Sequence, residues 1–246
     1  MTKKKLQDSF KEFCKLNKFE INSQQLDIIN LLERFLNNNE SFLGRILNKR
    51  KKLCFYLYGN VGVGKTMIVS QVYKQVKAKK MKAHFNEFMV NFHDFRHEKS
   101  EENSITKFVK NLKNKFDLIF LDEFQVTNIV DAMILGKLFQ EIFSQNIKVI
   151  VTSNTKISDL YKEGLQRDQF KPFINIMLEK SIEHELIIDD DYRKTKENQK
   201  QRYFYPLNQE TNFKINKFSR IITKNKKLSS EILNIKGRNF EIKNFY

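Results

Sequence analysis

The sequence predicts an α/β protein: a parallel sheet between two layers of helices, followed by a smaller C-terminal region. Three observations predict it. Short apolar runs alternate with stretches of helical apolar spacing, the order that the crossover connections of a parallel sheet need. The first run, Leu53 to Tyr58, is apolar on both faces, as a strand buried inside a parallel sheet must be. Directly after it comes Gly59-Asn60-Val61-Gly62-Val63-Gly64-Lys65-Thr66, which fits the phosphate-loop pattern G-x-x-x-x-G-K-[ST]. Three of the chain's seven glycines fall in that octapeptide. With average glycine usage, the four fixed positions would coincide on the order of once in a hundred sequences.

The elements follow in order. Ser23 can cap a helix in which Leu26, Ile29, Leu32, Phe35 and Leu36 recur at helical spacing. A basic patch, Lys49 to Lys52, precedes the first strand. The phosphate loop follows that strand, and a helix is expected from Lys65 to about Lys79. Ala83 to Phe88 is the second strand expected, with helical stretches through about Lys115. Asp117 to Asp122 is the third strand. Asp131 to Ser144 carries helical spacing at Ile134, Leu135, Leu138, Phe139 and Ile142. Lys148 to Ser153 is the fourth strand. The character changes after Asp189: an acidic knot at Asp189 to Asp191, a charged helical stretch at Lys194 to Arg202, then a basic tail. Short strands are expected there near Ile232 to Ile235 and Phe240 to Phe245. The organisation read from this is a helical lead-in (1–50), a nucleotide-binding core (51–188) and a basic C-terminal region (189–246).

Composition bounds the partners. The 246 residues carry 45 Lys and Arg against 29 Asp and Glu, a formal net charge of +16. That charge favours nucleic acid, acidic proteins or anionic lipid. Abundant lysine, asparagine, isoleucine and phenylalanine also fit an A+T-rich genome, and composition does not decide between the two. Cys14 and Cys54 are the only cysteines and form no C-x-x-C pair, so zinc and redox chemistry are unsupported. No apolar stretch approaches the ~20 residues of a membrane helix, and no apolar run follows Met1-Thr2-Lys3-Lys4-Lys5 to make a signal peptide. A cytoplasmic protein is expected, with a mitochondrial matrix protein as the alternative.

Two further elements complete a hydrolytic site around ATP and Mg²⁺. The loop's glycines let backbone N–H groups of Gly59 to Thr66 converge on phosphates at a helix N-terminus. Lys65 would pair with the β- and γ-phosphates, and the Thr66 hydroxyl would ligate Mg²⁺. The third strand ends in Asp122-Glu123. A carboxylate at the C-terminal edge of the sheet lies beside the phosphate loop. Asp122 is the expected metal partner through water, and Glu123 the base that orients and deprotonates the attacking water. Asn154, directly after the fourth strand, is placed to help position that water; an asparagine in a strand-to-loop turn is also common for structural reasons. The order phosphate loop, Asp-Glu strand, polar sensor fits the AAA+ arrangement. Arg167 could reach the nucleotide of a neighbouring subunit as an arginine finger, or serve in a surface salt bridge; Arg193 is a second candidate.

Several blocks resemble the ZapE family of AAA+-type ATPases, bacterial cell-division ATPases with mitochondrial relatives. They are Tyr56 to Met67, His84 to Met89, Leu121 to Asn128, Asp131 to Leu135, Thr152 to Asn154, Leu160 to Arg167, Phe170 to Ile174 and Asp191 to Arg193. Together they span roughly residues 20 to 210. The resemblance implies ATP hydrolysis coupled to remodelling of a protein target, the division-ring protein FtsZ in bacteria and membrane-protein subunits in mitochondria. It implies peripheral association with an inner membrane. The resemblance implies a further stretch beyond Ile235 to Arg238, and the sequence ends shortly after them at Tyr246, so a truncated lid is expected in the C-terminal region. Two other readings stay open: a helicase-loader-like ATPase acting on single-stranded DNA, and a nucleotide-binding scaffold without turnover. A finger at Arg167 would require a homo-oligomer.

Overall fold

Side chains alternate across a strand, so a sheet buried on both faces needs two separate cores. The computed structural model describes residues 6–37, 51–98, 103–188, 208–209, 211–213, 215–216, 229–235 and 238–245. Its elements in order are α1 (Leu6–Asn17), α2 (Ser23–Asn37), β1 (Cys54–Tyr58), α3 (Lys65–Gln75), β2 (Lys80–His84), α4 (Phe85–Glu98), α5 (Ser104–Lys115) and β3 (Leu118–Asp122). Then come α6 (Ile129–Ser144), β4 (Lys148–Ser153), a short 3₁₀ turn (Ile157–Asp159), α7 (Arg167–Lys180), β5 (Ser181–Glu185), β6 (Ser229–Ile235) and β7 (Arg238–Phe245). The first five strands form one sheet in the order β2-β3-β4-β1-β5, with every pair parallel.

The predicted three layers are present, and the alternation is plain. Cys54, Tyr56, Ile119, Leu121, Val149 and Val151 face a core shared with α4 to α7. Phe55, Leu57, Leu118, Phe120 and Ile150 face the opposite core, shared with α1, α2 and α3. By its internal contacts the chain divides into two compact units, Met1–Arg193 and Lys194–Tyr246. In the second, β6 and β7 pair antiparallel from Ser229↔Phe245 to Ile235↔Arg238, in the region where two short strands were expected. The acidic knot at 189–191, Arg193, the helical stretch at 194–202, and Lys49 and Arg50 lie outside the described residues.

Three local expectations are corrected. The second strand is Lys80–His84, and Phe85 to Phe88 instead opens α4. The reason is spacing: Phe85, Phe88, Met89 and Phe92 recur at i, i+3, i+4 and i+7, one face of a helix, and all four are buried. α3 stops at Gln75 rather than near Lys79, because Val76 takes extended dihedrals at the C-cap. The cap of α2 is Asn22 rather than Ser23: the Gln24 N–H donates to the Asn22 side chain at 2.8 Å. Three elements, α1, α7 and β5, are not among those the sequence predicts individually, α1 falling within the helical lead-in expected over 1–50. The strand Ser181-Ile182-Glu183-His184-Glu185 sits at the sheet edge and has no apolar run.

Part of the basic charge has a structural use. Lysines stand at the entrance of each sheet strand: Lys51 and Lys52, Lys79 and Lys80, Lys115, Lys148 and Lys180. That end of the sheet also receives helix C-termini, whose last carbonyls lack partners and carry partial negative charge. The Lys80 ammonium donates to the Tyr73 and Val76 carbonyls that end α3. Lys52 donates to the Leu178 and Glu179 carbonyls of α7, at 3.3 and 2.9 Å. Lys148 donates to the Phe35 and Leu36 carbonyls of α2, at 3.0 Å each. Neither cysteine shows reactive character: burial raises the Cys14 thiol and pushes Cys54 up to about 12, and a thiol that high is not a nucleophile near neutrality.

Candidate functional site

Between β1 and α3 the chain makes the phosphate loop, in which Gly59, Gly62 and Gly64 all take positive φ. Gly59 has φ +151, and a Cβ there would stand 2.3 Å from the Leu186 carbonyl oxygen. The chain leaving β5 presses on this point: the Leu186 N–H donates to the Tyr58 carbonyl at 2.8 Å, and Leu186 is fully buried. Gly59 is therefore needed for packing against the Leu186 backbone, whatever the loop binds. Gly59→Ala is expected to lower stability by about 2 kcal/mol or more through this backbone collision, read as a fall in melting temperature without nucleotide. Gly64, at φ +91, caps α3 in the left-handed region, where only glycine is at ease. From α2, the buried Gln25 amide donates to the Val63 carbonyl at 3.1 Å and closes the back of the loop.

The residues singled out from sequence converge here. Lys65 is 8% exposed. Its ammonium donates to the Gly59 and Asn60 carbonyls at 2.7 Å each and to Asn154 Oδ1 at 3.0 Å. The Thr66 hydroxyl donates to Asp122 Oδ1 at 3.0 Å across 56 residues of sequence. Asp122 is 2% exposed, and Oδ1 also accepts from the Thr152 hydroxyl. On its other side, Oδ2 faces the Lys82 ammonium at 3.7 Å.

Glu123 stands apart from this buried cluster. Its side chain is 75% exposed, with His84 Nδ1 3.7 Å from the carboxylate. Its φ of +56 is left-handed, a strained value for a residue with a side chain. Its neighbours hold it there. The Phe124 N–H donates to the Thr152 carbonyl at 2.7 Å, and the Phe124 carbonyl accepts from the Ser153 hydroxyl at 2.8 Å. The Phe124 ring is buried against Phe85, Tyr56, Phe139 and Phe173. With Asp122 and Phe124 both pinned, residue 123 bulges into the cleft. Arg167 is not among the residues lining that cleft. Its guanidinium donates to the Ser158 carbonyl at 2.8 Å and the Lys162 carbonyl at 3.2 Å.

The cleft beside the loop has a volume of about 370 Å³. Val61, Gly62, Gly64, Lys65, Thr66, Glu123 and Asn154 line it, together with Thr152, Ser153 and Met67. Phe19 and Glu20, from the connection between α1 and α2, form a wall that sequence reading missed. Lys82, Thr152 and His84 were missed as site residues too. Their signal is positional: parallel strands in register bring their C-terminal ends together, and His84 is paired with Asp122. The donor set suits Mg²⁺. The cation keeps its waters and takes one or two protein oxygens plus phosphates, and Thr66 and Asp122 supply a hydroxyl and a carboxylate side by side. Among the described residues no group of three His, Cys, Asp or Glu side chains could hold a metal alone.

Fold and cleft together define a P-loop protein of the AAA+ type. The chain belongs to the AFG1-like ATPase family, whose family model matches residues 16–245. It is similar to lactation elevated protein 1 homolog B of Danio rerio, 38% identical over 138 residues that cover 51% of this chain and 27% of the relative. It is also similar to the cell division protein ZapE of Escherichia coli K12, 30% identical over 185 residues that cover 74% of this chain and 49% of the relative. The chain thus spans about half or less of the length of these relatives. Among solved structures, DnaI shares the fold, with a TM-score of 0.50 at 18% identity, covering 72% of this chain and 89% of that one. No helix among the described residues is long and apolar enough to cross a membrane.

Proposed function

We propose that this chain hydrolyses ATP with Mg²⁺ and couples the cycle to remodelling of a protein partner. One observation carries the hydrolytic part: the Thr66 hydroxyl bonded to Asp122 at 3.0 Å, with Glu123 next in the chain and open to the cleft. In this reading Gly59 to Thr66 cradle the phosphates, and Lys65 exchanges the Gly59 and Asn60 carbonyls for β- and γ-phosphate oxygens. Thr66 and Asp122 hold the metal, which when bound supplies charge neutralisation at the phosphates. Asn154 and Glu123 flank the γ-phosphate position. Glu123 takes the proton of the attacking water as its oxygen bonds to the γ-phosphorus and the bond to the β-phosphate bridging oxygen breaks. The protein partner is proposed from kinship with a cell division protein, and an FtsZ-like target is the first to assay. An arginine finger at Arg167 in a homo-oligomer would have to release the Ser158 and Lys162 carbonyls.

The test is phosphate release by the purified chain with ATP, with and without EDTA, beside Thr66→Ala and Asp122→Asn. Release that stops in EDTA and falls about 10²-fold or more in both variants is expected. Equal release in all three proteins, or release indifferent to EDTA, rules the reading out.

A further inference from the structure

Lys82 belongs to no phosphate-loop or Asp-Glu motif, yet it reaches the metal-side carboxylate. It lies on β2, paired with Phe120 of β3. Alternation puts it on the same sheet face as Asp122, two residues further along β3. Its ammonium stands 3.7 Å from Asp122 Oδ2 and donates to the Ser70 hydroxyl at 2.6 Å. Ser70 is one helical turn beyond Thr66, so Lys82 is tied to the same helix that presents the metal-binding hydroxyl.

A carboxylate that is 2% exposed costs free energy to keep charged unless a positive charge offsets it. We infer that Lys82 is the resident counter-charge of Asp122 and, as a positioning residue, sets the Mg²⁺ concentration at which nucleotide is bound. The two hydroxyls on Oδ1 keep the carboxylate oriented. The ammonium on Oδ2 lowers the negative potential that a divalent cation meets on the opposite side. A unit charge a few ångströms from a divalent cation changes its affinity about tenfold even at the dielectric of water, and by more in a partly buried site. Lys82 is only 27% exposed, so solvent screens this effect weakly. The inference rests on the reading of Thr66 and Asp122 as metal-binding residues.

The experiment is a Mg²⁺ titration of the whole chain bound to a fluorescent ATP analogue, read as nucleotide binding without turnover. In Lys82→Met the Mg²⁺ midpoint is expected to fall at least about tenfold, with affinity measured in EDTA unchanged. Lys82→Arg, which keeps the charge, should stay near wild type. Should Lys82→Met fail to fold, Lys82→Gln removes the charge while keeping a polar head, and the same fall is expected. A midpoint that stays put or rises in the neutral variant overturns the role of Lys82 alone. Wild-type binding indifferent to Mg²⁺ overturns the reading of the metal site, and this inference with it.

Discussion

Lys65→Ala is expected to weaken ATP binding about 10²- to 10⁴-fold. The range follows from two charge-assisted hydrogen bonds to phosphate oxygens, each about 1.5–3 kcal/mol. Isothermal titration with Mg²⁺ and ATP measures it directly. The loss should be one of binding and not of folding. The ammonium is buried, but its bonds run to the neighbouring carbonyls of Gly59 and Asn60 and to Asn154. Removing it takes away a desolvated charge along with those bonds, and the two effects oppose. The loop itself is held from elsewhere, by the Gln25 bond to Val63 and by the contact of Gly59 with Leu186. A variant that melts close to wild type and still binds ATP within threefold would contradict the role of Lys65.

Sheet and loop were legible because their patterns are local. A strand buried on both faces has to be apolar along its middle, and Cys54–Tyr58, Leu118 to Leu121 and Val149 to Val151 are; the pattern predicts β4 as Lys148–Ser153, its observed bounds. The phosphate loop, Asp122 and Asn154 follow once those strands are placed. β2 and β5 lie at the sheet edges, where one side is open and lysine, glutamate and histidine are tolerated. An expected strand of Ala83 to Phe88 leaves Lys82 outside β2 and puts His84 near its start rather than at its end beside Asp122, since period two assigns neighbours only when the register is right. The conformation of Glu123 was illegible for another reason. It is imposed by bonds from residues 152 and 153 and by packing around Phe124, contacts that no local pattern encodes. The lysines that end helices were likewise indistinguishable from the general basic excess until the helix C-termini were placed.

Glu123→Gln is expected to lower the rate of ATP hydrolysis about 10²- to 10⁴-fold while leaving ATP bound as tightly as in wild type. The substitution replaces a carboxylate by an amide of the same shape, so what it removes is the capacity to accept the proton of water. Nothing in the packing opposes it: the side chain is 75% exposed, with His84 Nδ1 at 3.7 Å from the carboxylate. Melting temperature should not move. The backbone adds a second, separable expectation. At φ +56 any side chain at 123 is strained, so Glu123→Gly should fold at least as well as wild type and still fail to turn over. Together the two variants divide chemistry from conformation. A stable glycine variant without turnover means that the strain is borne to hold the carboxylate in the cleft. Phosphate release by Glu123→Gln within about threefold of wild type would instead move the base to another residue, with Asp122 excluded by its two hydroxyl partners and the Lys82 ammonium.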